Sequence, residues 1–318
     1  MAGEGTYQCT LDDEALETAK RELNEDPIER ASQIETLRNW VKQQPHLRAR
    51  TDDNFLLSFL RPSKFSQLRA QEKLDNYYTM RSVPDKGVPE WFENLDPADP
   101  KLIELLEMKV LFPLPGRDDK GRKVVITTMS YDPARPNVIV DMCRLIILTL
   151  DILLKDEKTQ VYGLVDFTDC TDLSVGHLTQ WTRDLIAKSV KVFQDAYPIR
   201  WKSSNYYNTP VIFNATWEIC KLFMKEKFVN RTHFHWGSLD SVYKEIPKRM
   251  LPEEYGGEAG PMEDIIQNWK EEMLSYRDEI LKDAEYGIDE EKRPKPTETA
   301  NDGEWGIMGS FRRLTTAD

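Results

Sequence analysis

The hydrophobic period of this chain changes near residue 109, and that change limits the fold more than any other feature. Before it, apolar residues recur at helical spacing; after it, short extended runs alternate with helices as far as residue 246. LFPLP and KVVITTM flank the turn-forming GRDDKGR and predict a β-hairpin with Asp-Lys-Gly as its turn. A long apolar helix is predicted over 138–155, then the strand VYGLVDFT, then an amphipathic helix over about 174–196. The unit repeats as strand KSSNYYN, helix 211–224, strand RTHFHWG and short helix 239–246. Strands alternating with helices of this length imply an α/β domain with a largely parallel sheet.

The first third reads as helices. Ile34, Leu37, Trp40 and Val41 keep helical spacing up to Pro45, and Thr51-Asp52-Asp53 offers an N-cap before Phe55, Leu56, Leu57, Phe59 and Leu60. A third helix is predicted over 65–80, and SVPDKGVPEW ends it. This module is too thin to be a complete domain. Helical spacing returns over 261–282 through Ile265, Ile266, Trp269, Met273 and Ile280, and the polar EEKRPKPTETANDGE that follows reads as a flexible linker. The closing EWGIMGSFRRL either docks back or frays. The expected organisation is an acidic extension over 1–30, the helical module over 31–90, the α/β domain over 91–260, a C-terminal helix over 261–287 and a tail over 288–318.

The formal net charge of -12 argues against a nucleic-acid binder, but the charge is unevenly spread. Residues 1–30 hold nine acids against three bases and residues 253–304 hold 17 against six, whereas 197–231 has six bases against two acids. A mildly basic body thus lies between two acidic ends, which are expected to turn away from any anionic surface that the body meets. MAGEGTYQC lacks the basic and apolar regions of a secretory signal, so a cytosolic location is expected. The apolar run 138–154 is interrupted by Asp141, Arg144 and Asp151 and is read as a buried helix, not a membrane span. Cys9, Cys143, Cys170 and Cys220 form no CxxC pair and are expected to be reduced thiols.

Chemical motifs are sparse. GxxxxGK[ST], GxGxxG and GxSxG are absent from the sequence. His233 and His235, two apart on a strand, have a legal metal-ligand spacing, but strand packing is the better reading. Asp166, Asp169 and Asp172 read either as loop and cap residues or as Mg²⁺ ligands of an enzyme, the weakest functional reading. No metal, cofactor or catalytic residue is therefore assigned, and the chain is read as a non-enzyme.

One stretch stands out: YPIRWKSSNYYNTPVIFNATWEICKLFMKEKFVNRTHFHWG. Arg200 and Lys202 alternate on a predicted strand, and Lys227 and Arg231 are four apart after a helix apolar on nearly all sides. Two readings stay open from spacing alone. The helix is fully buried with a solvated basic end, or the cations converge on phosphate groups beside an apolar surface.

Together with FLLSFLRPSKFSQLRAQEKLDNYYTMR in the helical module, THFHWGS, and IPKRMLPEEYGG near the end of the domain, this stretch resembles the CRAL-TRIO family over about 33–270. The resemblance implies a helical N-terminal module on a CRAL-TRIO fold, whose sheet floors an apolar cavity covered by a mobile gate helix, here 209–227. It implies a monomeric carrier of a hydrophobic ligand (a retinoid, tocopherol or other lipid) that visits anionic, phosphoinositide-containing membranes and binds no nucleic acid. The alternative is a phosphoinositide-responsive adaptor regulated by the cavity lipid, with a protein partner recruited by its ends. The phosphoinositide-binding cations of the family match Arg200, Lys202, Lys227 and Arg231, whereas a further family cation falls on Glu72, with Arg69 and Lys73 nearby. The cavity wall is expected at Ile146, Leu150 and Leu153, Val165 and Phe167, Ile186, Val190 and Phe193, and Phe213, Trp217 and Phe223. Ile146 and Leu150 stand where some members present serines, so a drier pocket is implied there.

Overall fold

The computed structural model describes residues 7–294. Asp12 starts α1 (Asp13–Leu23) by accepting a hydrogen bond from the Ala15 amide at 3.0 Å, and α1 buries Ala15, Ala19 and Leu23 against Val161. α2 (Arg30–Lys42), β1 (Leu47–Arg48), α3 (Asp53–Leu60) and α4 (Gln67–Ser82) complete the helical module. Asp52 caps α3 through the Phe55 amide, as its sequence predicts. Leu37, Leu56, Leu57, Phe59 and Leu74 form the core of this layer, all without solvent exposure.

α5 (Pro100–Glu107) leads into β2 (Leu111–Pro113) and β3 (Lys123–Thr128), the expected hairpin. α6 (Val138–Leu153), α7 (Glu157–Tyr162), β4 (Leu164–Asp169), α8 (Val175–Thr179), α9 (Arg183–Lys191) and β5 (Trp201–Tyr207) follow. After them come α10 (Phe213–Lys221), α11 (Glu226–Val229), β6 (Thr232–His235) and α12 (Asp240–Tyr243). The sheet order is β2-β3-β4-β5-β6, and only β2 runs antiparallel. α13 (Met262–Ser275), α14 (Arg277–Lys282) and β7 (Gly287–Ile288) close the chain, with β7 paired to β1.

Several elements differ from the sequence reading. Val161 and Tyr162, expected to open a strand, end α7, and the strand begins at Leu164. The helix expected over 174–196 is interrupted: Thr182 caps α9 afresh through the Leu185 amide, and α9 passes into a π turn at Val192–Ala196. The C-terminal helix breaks at Tyr276. Residues 288–293, grouped with the tail from their composition, are held on the helical module: Arg293 forks onto Asp75 at 2.7 and 2.9 Å and reaches Thr79. EWGIMGSFRRL lies outside the described residues.

The module and the α/β domain share a buried charge node. Arg61, without solvent exposure, donates to Glu25 at 2.9 and 3.0 Å, to Glu157 at 2.8 Å and to Gln160 at 2.7 Å, while Arg30 holds Glu25 and Tyr7 holds Glu157. Losing one member of such a node strands a buried charge at a cost of about 3–5 kcal/mol. The acidic stretch expected as an extension is thus built into the fold from residue 7.

Candidate functional site: an apolar cavity beside a cluster of cations

The sheet floors a cavity of about 340 Å³. The register decides which residues face it. Val125, Asp166 and Ser204 are aligned across β3, β4 and β5, as are Thr127, Thr168 and Tyr206, and these residues line the cavity. Ile146 and Leu150 on α6, Ile186, Val190 and Phe193 on α9 and its π turn, and Phe213 and Trp217 on α10 line it as well.

Four expected wall residues lie elsewhere. Val165 and Phe167 alternate with Asp166 and Thr168, so they project from the opposite face, where Phe167 packs edge-on against Tyr255 at 5.2 Å. A strand has a period of two, and a reading displaced by one residue exchanges the faces. The more apolar set faces a solid core, while the polar set borders a space not filled by protein. Leu153 sits at the end of α6, past the cavity and buried in the core. Phe223 stands under the Arg183 guanidinium, 5.8 Å from its ring centre.

β5 carries a bulge at Lys202: Leu164 pairs with Trp201 but Val165 with Ser203. The extra residue lets Trp201 line the cavity with Ser204 and Tyr206, a spacing that an unbroken strand forbids. No residue spacing announces this bulge.

The cavity is mostly apolar but not uniformly so. Asp166 lies on its floor, accepting from Thr168 Oγ1 at 3.1 Å, and burial pushes its carboxyl up to about 7 because what surface it keeps opens into the cavity. Tyr131 Oη, Thr149 Oγ1 and Trp201 Nε1 are buried at the wall with no hydrogen-bond partner among the described residues. Asp169, by contrast, is on the other face and accepts from Tyr255 Oη at 2.8 Å. The two carboxylates therefore do not converge on one ion. His235 contacts Asn205 Oδ1 and Ser241 on that same far face.

α10 covers the cavity and has no fully buried residue, despite its apolar sequence. Its inner side faces the cavity, and at its ends Val211 is 86% and Leu222 68% exposed, with Trp236 nearby in the chain at 60%. The fully buried reading of this helix is corrected here: the protein does not pack it on all sides.

The four matched cations gather at one edge. Lys202 is pushed below the ordinary lysine range by burial, then by Arg200 and Arg231; Lys227 is pushed down by burial, then by Lys225, Arg231 and Arg69. Crowded like charges raise the cost of keeping each group protonated, and a nearby anion would relieve that cost. Lys73 is not available to it, because its amine donates to the Gln194 and Tyr197 carbonyls at 3.0 and 3.2 Å. Arg69, exposed and one helical turn before Glu72, is the cation near Lys227. The acidic ends are not all turned elsewhere, as the charge pattern led us to expect. Glu22 Oε2 accepts from Arg200 at 2.7 Å and from Lys202 at 3.0 Å.

With this geometry in place, comparison with known proteins assigns the lineage. The CRAL/TRIO domain model matches residues 107–257, and the Pinta-like, UBA domain model matches residues 26–102. Human alpha-tocopherol transfer protein-like is 34% identical over 278 residues, covering 87% of this chain and 79% of that protein. This chain belongs to the CRAL/TRIO family. Clavesin-1 of Xenopus laevis is 30% identical over 273 residues, covering 85% of this chain and 80% of the relative. Human clavesin-2 is 29% identical over 289 residues, covering 90% and 86%. The two matched regions of this CRAL/TRIO protein meet at the Arg61 node, and no helix among the described residues is long and apolar enough to cross a membrane.

Proposed function

We propose that the chain is a carrier that holds one hydrophobic molecule in the cavity behind α10 and exchanges it at anionic, phosphoinositide-containing membranes. The observation that carries this reading is the coincidence of three things at one edge: an apolar-walled cavity of about 340 Å³, a covering helix with no buried residue, and a cluster of cations beside it. A cavity of that size is in the range of small-molecule sites. The name of the human relative, which refers to tocopherol transfer, supports a ligand of that general kind. The unpartnered Tyr131 and Thr149 hydroxyls and the Asp166 carboxyl favour a ligand with a polar end over a plain hydrocarbon.

Val211, Ile212, Leu222 and Trp236 already face outward. At about 25 cal/mol per Å² of apolar area, their partial burial in lipid supplies several kcal/mol of reversible attachment. The cations would add about 1 kcal/mol each near an anionic surface, weakened by salt. Transfer needs no covalent step, so the residues act by holding and releasing.

Native mass spectrometry of the purified protein should reveal a co-purified lipid, and a protein that stays empty in the presence of lipid extracts would refute the carrier reading. Replacing Arg200, Lys202, Lys227 and Arg231 with Ala should reduce sedimentation with phosphoinositide vesicles while leaving the cavity ligand in place. Unchanged sedimentation would remove the membrane part of the proposal.

A further inference from the structure

The cation cluster is partly filled by the protein itself. Glu22 stands near the end of α1, and one of its carboxylate oxygens takes hydrogen bonds from both Arg200 and Lys202, residues 178 and 180 positions away. Burial alone would raise the pKa of this carboxyl; the bonds from Arg200 and Lys202 outweigh it and hold the group down to about 2. Arg21 adds a third positive charge, 3.8 Å from the other oxygen. The helix presenting Glu22 is fixed independently of this contact. Ala15, Ala19 and Leu23 pack on Val161, and Glu25 just beyond it is clamped by Arg30 and Arg61. Releasing the cations requires a swing of one side chain, itself about a third exposed, and no undocking of the helix.

Arg200 and Lys202 are the more enclosed cations, their side chains 15% and 24% exposed, whereas Lys225, Lys227, Arg231 and Arg69 are exposed. Among the described residues neither Lys227 nor Arg231 has a carboxylate within ion-pair distance, and Arg231 donates to the Trp201 carbonyl at 2.7 Å. An incoming headgroup therefore meets Lys227, Arg231 and Arg69 without a carboxylate partner among the described residues, Lys225 paired to Asp195, and the inner pair already satisfied.

We propose that Glu22 is an internal headgroup mimic that makes the inner pair select for lipid headgroups carrying more than one phosphate charge. This inference rests on the anionic-membrane reading above. A singly charged headgroup that displaces Glu22 exchanges one negative charge for another and gains no Coulomb energy, while it gives up a contact already organised by the fold. A phosphomonoester brings a charge of about -1.5 to -2 with three acceptor oxygens. A headgroup with two of them can satisfy Arg200 and Lys202 and still engage the outer cations. Glu22 thereby converts general attraction to negative surfaces into discrimination by charge density, a case of specificity obtained by penalising the wrong partner.

The test compares wild type, Glu22→Gln, Glu22→Ala, the Arg200→Ala/Lys202→Ala double variant and the triple variant that adds Glu22→Gln, each with an unchanged melting temperature. The probes are phosphatidylcholine vesicles doped with phosphatidylserine or, at matched total charge, with phosphatidylinositol bisphosphate. Removing one surface charge should raise binding to phosphatidylserine vesicles about fivefold in both Glu22 variants, and binding to bisphosphate vesicles by clearly less. The preference for bisphosphate then falls, and the triple variant shows no gain over the double one. If both Glu22 variants match wild type on both vesicles while the double variant loses bisphosphate binding, Glu22 is no filter and the membrane reading survives. If the double variant binds bisphosphate vesicles as wild type does, the membrane reading fails and this inference with it. An equal rise on both vesicles overturns the selectivity. Displacement of wild type from bisphosphate vesicles by inorganic phosphate at matched charge would make this a free-phosphate site instead of a headgroup site.

Discussion

Apolar residues dominate α6 and make up five of the nine residues of α10, yet the fold treats the two helices in opposite ways. Thirteen of the sixteen residues of α6 are buried, including Asp141 and Arg144, which are paired with each other and with Asp99 and Arg135. None of the nine residues of α10 is buried. α6 is enclosed by β2, α5 and the loop before α5, whereas α10 rests on α9, touches Tyr206 of β5 and Phe234 of β6 through Phe213 and Trp217, and otherwise borders the cavity and the exterior. Apolar composition states what a helix needs and leaves open who supplies it. For α6 the protein does; for α10 the proposed carrier role assigns that part to a ligand within and a membrane without.

The largest effect that can break this contrast is in stability. Leu148 of α6 has no exposure, and Leu148→Ala should lower unfolding free energy by about 2–5 kcal/mol in denaturant melts. Val211→Ala, ahead of α10 and 86% exposed, should stay within about 0.5 kcal/mol of wild type. A comparable loss at both positions would mean that the outer face of the gate is packed after all, and the contrast would fall.

A second, smaller effect concerns the cavity between the two helices. Burial raises the Asp166 carboxyl from 3.8 to about 7, so the ligand-free fold keeps a proton that the unfolded chain surrenders at lower pH. Between those two values the folded state binds more protons than the unfolded one, and stability falls as pH rises through the window, then levels off above about 7. Delipidated protein should therefore be about 3 kcal/mol less stable at pH 8 than at pH 5 on this account, and Asp166→Asn should flatten the difference. If the variant keeps the full pH dependence, another group is responsible and the floor of the cavity is wetter than its walls imply.

How much of this was legible in the sequence follows from the distance over which each feature is encoded. The strand and helix alternation, the Asp52 cap and the α/β class are local or periodic, and they can be read directly. So can the apolar excess of the stretch 211–224, which exceeds one ordinary stripe even though α10 itself keeps a polar stripe through Asn214, Glu218 and Lys221. The face of β4 turned to the cavity could not be read: Val165 and Phe167 are the apolar pair, and apolar residues suit a solid core on one side as well as a cavity wall on the other. The bulge at Lys202 is a matter of pairing with β4 and leaves no composition signal. Glu22 lies 178 residues from Arg200, and a net charge summed over the N-terminal stretch hides the carboxylate that turns to the cations. The sequence marks Arg69 only as a neighbour of Glu72, and its approach to Lys227 depends on how α4 docks on the α/β domain.

The smallest effect sharpens the contrast most, because it separates packing from membrane contact. Leu222, next to the end of α10, is 68% exposed, so Leu222→Ser removes apolar surface that the fold scarcely uses. Its stability should be within about 0.5 kcal/mol of wild type, while the loss of a partly inserted leucine should cost about 1 kcal/mol of attachment, or about fivefold in vesicle partitioning. The effect should persist in high salt, where the contribution of Arg200, Lys202, Lys227 and Arg231 is screened. If the Leu222→Ser deficit disappears in high salt together with the cation-dependent binding, the apolar end of the gate does not insert, and the exposed side of α10 needs an occupant other than lipid.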